Sequence, residues 1–252
     1  MARKKNLSKE NADDVSTYED YTSTQFNRNN KQISIHDLSI KIKCLNGKQK
    51  TLKKAIEDNE ITISIGPAGT GKTYLSLITA LHLLKTHPIY KRILLVKSLT
   101  TIKGEDPGFL PGTLREKMAP FMYSFIGNID KILHSKITTS ALMDEGIIEV
   151  IPIAYIRGNT IDEAIIIIDE TQNIDMHAFK TIITRIGRNT KMIFLGDVEQ
   201  IDRDNKSSSC LLEVFKMFED KDFIATIEFN DSECVRHPII PKILEVMGEN
   251  HC

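Results

Sequence analysis

From residue 61 onward, apolar positions gather into short, nearly unbroken runs separated by longer stretches with helical spacing. Residues 61–65, 92–97, 147–151, 164–168, 191–195 and 223–229 read as strands. Unbroken apolar runs, as opposed to alternating ones, mark strands covered on both faces. Residues 72–86, 113–126, 176–186 and 208–218 read as helices. Strand and helix alternate, so the expected fold is α/β: a mostly parallel sheet with helices on both faces. Right-handed crossovers then bring the strand C-termini, and any ligand, to one edge. Residues 1–31 show neither period. Their isolated apolar side chains bury too little surface to offset chain entropy, which predicts a disordered or loosely attached polar tail. Residues 32–252 are expected to form a single domain.

Composition narrows the function classes. The 252 residues carry 33 Lys+Arg and 34 Asp+Glu, a formal net charge of −1, with 41% hydrophobic residues. That balance fits a globular chain with a sizeable core and excludes a histone-like packer of nucleic acid. Any nucleic-acid contact must come from a local patch. Lys41, Lys43, Lys48, Lys50, Lys53 and Lys54 are the densest such cluster, readable as a solvated helix face or as a phosphate-backbone contact. With no Trp and 6% aromatic residues, base-stacking platforms find little support. The longest apolar run, Ala164 to Ile168, is far short of the ~20 residues needed to span a bilayer. No apolar segment follows the basic N-terminus as in a secretory signal, so a cytoplasmic location is expected. Cys44, Cys210, Cys234 and Cys252 lie far apart, without a Cys-x-x-Cys pair, and are expected to be reduced thiols and not a disulfide or zinc framework.

Gly66-Pro67-Ala68-Gly69-Thr70-Gly71-Lys72-Thr73 fits G-x-x-x-x-G-K-[ST], placed after a predicted strand and at the start of a predicted helix. Glycines let successive backbone N–H groups converge on phosphate oxygens, and the helix start adds partial positive charge. Lys72 is expected to reach the β- and γ-phosphates of ATP and the Thr73 hydroxyl to bind Mg²⁺. Asp169-Glu170 ends the strand 164–168. Asp169 would hold the Mg²⁺ shell, leaving Glu170 to orient the attacking water. An acidic pair in that position otherwise caps the next helix. A third strand ends at Gly196-Asp197-Val198-Glu199-Gln200, where Gln200 can donate and accept hydrogen bonds near a γ-phosphate or a water.

Together these segments resemble superfamily 1 helicase-type ATPases and, more narrowly, the PhoH-like family of RecA-like P-loop ATPases. The residues that carry the narrower resemblance are Gly108-Phe109-Leu110-Pro111-Gly112, Tyr155-Ile156-Arg157-Gly158, Thr184-Arg185-Ile186-Gly187, Gly196 to Asp202 and Val235-Arg236-His237-Pro238, over about residues 45–245. Leu45-Asn46-Gly47-Lys48-Gln49 looks like the Q-motif, which implies that Gln49 reads adenine. The resemblance also implies an arginine, Arg236, near the γ-phosphate. Arg157 and Arg185 are weaker candidates, readable as loop or subunit contacts. Two positions depart from the pattern: Lys97-Ser98 stands where Arg-Pro is usual, and Thr171 where Ala is usual.

The expected function is Mg²⁺-dependent ATP hydrolysis with Lys72, Glu170, Gln200 and Arg236 as the catalytic group, coupled to RNA or single-stranded DNA. A single RecA-like domain would need a homo-oligomer, such as a ring, to translocate. The alternative is an ATP-dependent oligomeric switch without a nucleic-acid substrate. A small-molecule kinase is a weaker third option, since only residues 99–112 offer room for a lid.

Overall fold

The computed structural model describes residues 34–97, 114–198, 200, 209–237 and 239–246. The predicted tail, Ser98 to Gly112, Glu199, Ile201-Asp202, Pro238 and Cys252 lie outside the described residues. From Ile35 onward the chain forms one compact unit.

Six strands build one sheet: β1 (Ile61–Ile65), β2 (Arg92–Lys97), β3 (Ile148–Pro152), β4 (Ala164–Asp169), β5 (Lys191–Gly196) and β6 (Ala225–Glu228). Their order across the sheet is β3-β2-β4-β5-β1-β6, and every pairing is parallel. The register levels the strand ends. Lys97 stands opposite Asp169, and Ile65 lies between Gly196 and Glu228. The residues just past these ends therefore share one edge.

The unbroken apolar runs are explained by two cores, one on each face. Along β4, Ile165 and Ile167 pack into one core and Ile166 and Ile168 into the other, all four fully buried. Burial of each such side chain is worth roughly 1.5–3 kcal/mol relative to exposure. The first face is covered by α1 (Gly47–Asp58), α2 (Lys72–Thr86), α3 (Leu114–Leu133) and α4 (Lys136–Asp144), through Leu52, Leu81, Phe125 and Leu142. The second is covered by α5 (Met176–Ile183) and α6 (Leu211–Phe218), where Phe179 meets Phe194 with ring centroids 4.8 Å apart. A further helix, α7 (Ile239–Val246), follows β6.

The expected α/β sheet is present, with differences at the element ends. α5 stops at Ile183 because Ile186 leaves the helix to bridge Ile161. β6 is shorter than the run 223–229, and Phe223 at its start is 63% exposed. α3 runs on to Leu133. α4 and α7 were not anticipated as elements, and α1 was anticipated only as one reading of the lysine cluster. α1 carries lysines on most of its surface and buries only Gln49, Leu52, Ala55 and Ile56, a narrow i, i+3, i+6, i+7 stripe. Lys53 and Lys54 pair with Glu57 and Asp58 one turn on, so this part of the lysine cluster behaves as a solvated helix face. Cys44 and Cys210 are free thiols as expected, whereas Cys234 is disulfide-bonded, which corrects the expectation there. Its sequence spacing carries no signal for that bond. Among the described residues, no helix is long and apolar enough to cross a membrane.

Candidate functional site

The phosphate-loop octet lies between β1 and α2, as its spacing requires. Gly69 and Gly71 both have φ of +86°, in the left-handed region that side chains disfavour. A Cβ on Gly69 would also meet the Arg236 side chain at 2.5 Å. Gly71 is the N-cap of α2 and supplies no side-chain cap. The first N–H groups of this helix thus lack the oxygen that Asn46, Ser135 and Asp175 give to α1, α4 and α5. Such a start favours an anion.

Lys72 opens α2 and is 8% exposed. Its ammonium donates to the carbonyls of Gly66 at 2.7 Å and Pro67 at 2.8 Å, and to Thr70 Oγ1 at 3.3 Å. Burial pulls its pKa down; nearby Asp197, Asp169 and Glu170 push it back up, and Arg236 lowers it further. Thr70 is fully buried and donates from Oγ1 to Pro67 O at 3.0 Å, which closes the loop on itself. Thr73 Oγ1 donates to Asp169 across the pocket, 3.2 Å from Oδ2 and 3.3 Å from Oδ1. The Asp169 carboxyl is pushed up to about 6, first by burial and then by the Glu170 charge, against the Glu170 N–H, Lys97 and Thr73, which favour the ionised form. A carboxylate held that high gains by acquiring a cation.

Glu170 takes a left-handed conformation, with φ 56° and ψ 42°, uncommon for a residue with a side chain. This turn brings its carboxylate to Lys97 Nζ at 3.7 Å and to Gln172 Nε2, which donates to Oε2 at 2.7 Å. Lys97 is one of the two departures from the family pattern, and here it faces the acidic pair. The other departure, Thr171, is fully buried and satisfies its hydroxyl on Ile168 O at 3.2 Å.

Ala68, Gly69, Gly71, Lys72, Thr73, Asp169, Glu170 and Gln200 line one pocket of about 280 Å³ at the strand C-termini. Most of the predicted site thus comes together. Gln49, Gly66, Pro67, Thr70 and Arg236 do not line the pocket; Gln49 bonds the Thr70 carbonyl from behind the loop, and the Arg236 side chain packs beside Gly69. Arg185 precedes β5 and lies at the opposite, entry edge of the sheet, where its carbonyl accepts from Ile161 N. Arg157 is exposed beyond β3, outside the pocket.

Five pocket residues were missed as site residues: Tyr74, Asn128, Gln172, Gly196 and Asp197. Gln172 and Asp197 form a relay. Gln172 donates to Glu170, its Oε1 accepts from Asp197 N at 3.1 Å, and Asp197 Oδ2 accepts from Ala68 N at 2.7 Å. The two acidic loops are thereby tied to the phosphate loop. Asp197 stands inside the quoted segment Gly196 to Gln200 and Gln172 two residues after Glu170, so their positions were visible although their roles were not. Asn128 comes from α3, with no local signal.

The donor set fits a magnesium–nucleotide complex in part. One hydroxyl and one buried carboxylate make part of a shell of the kind that magnesium completes with substrate phosphates and water. Among the described residues, no group of three or more His, Cys, Asp and Glu could hold a metal independently.

The family model described as "PhoH-like protein" matches residues 41–248. The PhoH-like protein of Bacillus subtilis (strain 168) is 39% identical over 213 residues, covering 84% of this chain and 65% of the relative. The PhoH-like protein of Mycobacterium tuberculosis (strain H37Rv) is 39% identical over 207 residues, covering 82% of this chain and 57% of the relative. The chain therefore spans less than two thirds of these relatives' length. Among solved structures, the large terminase from a thermophilic bacteriophage aligns over 81% of this chain and 50% of its own, at 13% identity and a TM-score of 0.47. With a family match over most of its length and relatives at this identity, the chain belongs to the PhoH-like protein family.

Proposed function

We propose that this chain binds ATP with Mg²⁺ and hydrolyses it, and that turnover is coupled to RNA or single-stranded DNA. The observation that carries the reading is the meeting in one pocket of an uncapped helix start, a buried ammonium, a hydroxyl–carboxylate pair and a second carboxylate. Each has a task in phosphoryl transfer. The loop N–H groups and Lys72 bind and orient the phosphates. Thr73 and Asp169 would hold Mg²⁺, which supplies charge neutralisation on the phosphate oxygens. Glu170, aimed by its bond from Gln172, accepts a hydrogen bond from the attacking water and sets its line of approach. Gln200 lines the same pocket and is suited to hold that water or the γ-phosphate. Arg236 packs on Gly69 of its own chain, which favours a role within the same chain over one across a subunit interface.

The nucleic-acid half of the reading rests on the family resemblance and on the strand-exit edge. There Tyr155, 58% exposed, and the exposed Arg157 offer a ring and a guanidinium just beyond β3. Assembly into a homo-oligomer belongs to the same reading.

The test is Glu170→Gln, assayed with and without single-stranded RNA. The amide keeps the shape and removes the charge, so ATP stays bound while single-turnover hydrolysis falls by about 10²–10⁴-fold. Unchanged hydrolysis would assign the water to another residue. In the wild type, several-fold stimulation by RNA supports the coupling, and its absence favours a switch without a nucleic-acid substrate.

A further inference from the structure

The back of the phosphate loop is built from neutral groups that form a brace. Gln49 is 4% exposed and has both ends of its amide engaged. Oε1 accepts from Leu45 N at 2.7 Å, and Nε2 donates to Thr70 O at 2.9 Å. Its own N–H is held by Asn46 Oδ1 at 2.8 Å, and Asn46 Nδ2 donates to Glu233 O at 3.1 Å. From the other side, Val235 N donates to Gly69 O at 2.9 Å. Two consecutive loop carbonyls, Gly69 and Thr70, are thus both pulled outward.

The peptide plane converts that pull into a direction. The described residues contain no cis peptide bond, and in a trans peptide the N–H points opposite to the C=O. The Gly69 carbonyl shares its plane with the Thr70 N–H, and the Thr70 carbonyl with the Gly71 N–H. Tying the two oxygens to Val235 and Gln49 therefore turns two N–H groups the other way. The fit is close: a Cβ on Gly71 would lie 2.9 Å from Gln49 Nε2.

We infer that Gln49 is a positioning residue for the phosphate-binding backbone and does not read the base. It acts on the triphosphate through the Gly71 N–H, so its contribution is the same whatever base the nucleotide carries. This rests on the reading of the pocket as a nucleotide site.

The experiment measures binding of ATP, GTP and inorganic tripolyphosphate, each with Mg²⁺, to the wild type and to Gln49→Met, by calorimetry. Methionine keeps the volume and removes both amide bonds. The expected result is a common weakening of all three ligands by roughly three- to tenfold, the scale of one hydrogen bond, with an unchanged ATP-to-GTP ratio. Weakening of ATP alone, or a changed ratio, would make Gln49 a base reader and overturn the inference. So would unchanged affinity for all three. Gln49→Glu, which keeps the Leu45 bond and loses the donor to Thr70, repeats the test if the methionine variant does not fold. A wild type that binds none of the three ligands would instead remove the nucleotide site itself.

Discussion

The two sides of the phosphate loop are built on opposite principles. The pocket side gathers Lys72, Asp169 and Glu170, charged groups taken partly out of water. Burial there shifts Lys72 down and Asp169 up to about 6. The back holds Asn46, Gln49 and Val235, neutral groups whose hydrogen bonds close among themselves. Charge is expensive to desolvate and is recovered only when a charged ligand arrives. A neutral network is complete without a ligand. The comparison teaches that ligand energy is concentrated on one side and geometry on the other. Substitutions on the two sides should therefore fail differently.

The largest expected effect is on the charged side. Lys72→Ala removes the buried ammonium facing the phosphates and should abolish tight ATP binding while the fold persists. Calorimetry with circular dichroism as the folding control checks it. Wild-type affinity in a folded variant would end the distinction between the two sides.

The next is a pH effect at Asp169. Its folded pKa of about 6 lies above the ordinary 3.8, so the folded state holds the proton more tightly. That contribution is fully present below about 4 and is lost as pH rises through about 6. In metal-free protein, Asp169→Asn should therefore be more stable than wild type at pH 7.5, with the gap closing toward pH 4. Urea midpoints at the two pH values measure this, and a gap independent of pH would show that Asp169 is not held under strain by burial.

The smallest effect lies on the outer face of α1. Lys54 pairs with Asp58 one turn on, and both are largely exposed. Lys54→Ala should leave stability almost unchanged, as expected for a solvent-screened pair, and leave nucleotide affinity unchanged. A loss of affinity would extend the charged side across α1.

The same contrast explains what the sequence reveals. The pocket side is dense in local signals: the octet from Gly66 to Thr73 is contiguous, and Asp169-Glu170 ends a strand that its isoleucines announce. The all-parallel sheet follows from the same runs. The brace is built from contacts between distant segments, with Gln49 and Thr70 21 residues apart and Asn46 and Glu233 187 apart. No spacing rule reaches that far. Gln49 was singled out by resemblance, but the direction in which its amide points depends on where Thr70 comes to rest. The relay through Gln172 and Asp197 fell between these cases: the residues sit in or just after visible motifs, while their pairing depends on β4 and β5 lying side by side. α1 was legible only as one reading of the lysine cluster, because its buried stripe is narrow and includes a polar residue.

Strand order has a consequence for how the molecule comes into being. β1 delivers the phosphate loop early in synthesis, yet its two neighbours in the sheet are β5 and β6, made about 130 and 160 residues later. Val235, which holds the Gly69 carbonyl, is made later still. A ribosome-bound chain that has emitted only the loop and its helix carries the complete octet without the partners that shape it. Competence is thereby deferred until β6 has docked and the segment to Val235 has emerged. On the proposed reading of the pocket, an unfinished chain would present the octet to nucleotide without its final shape.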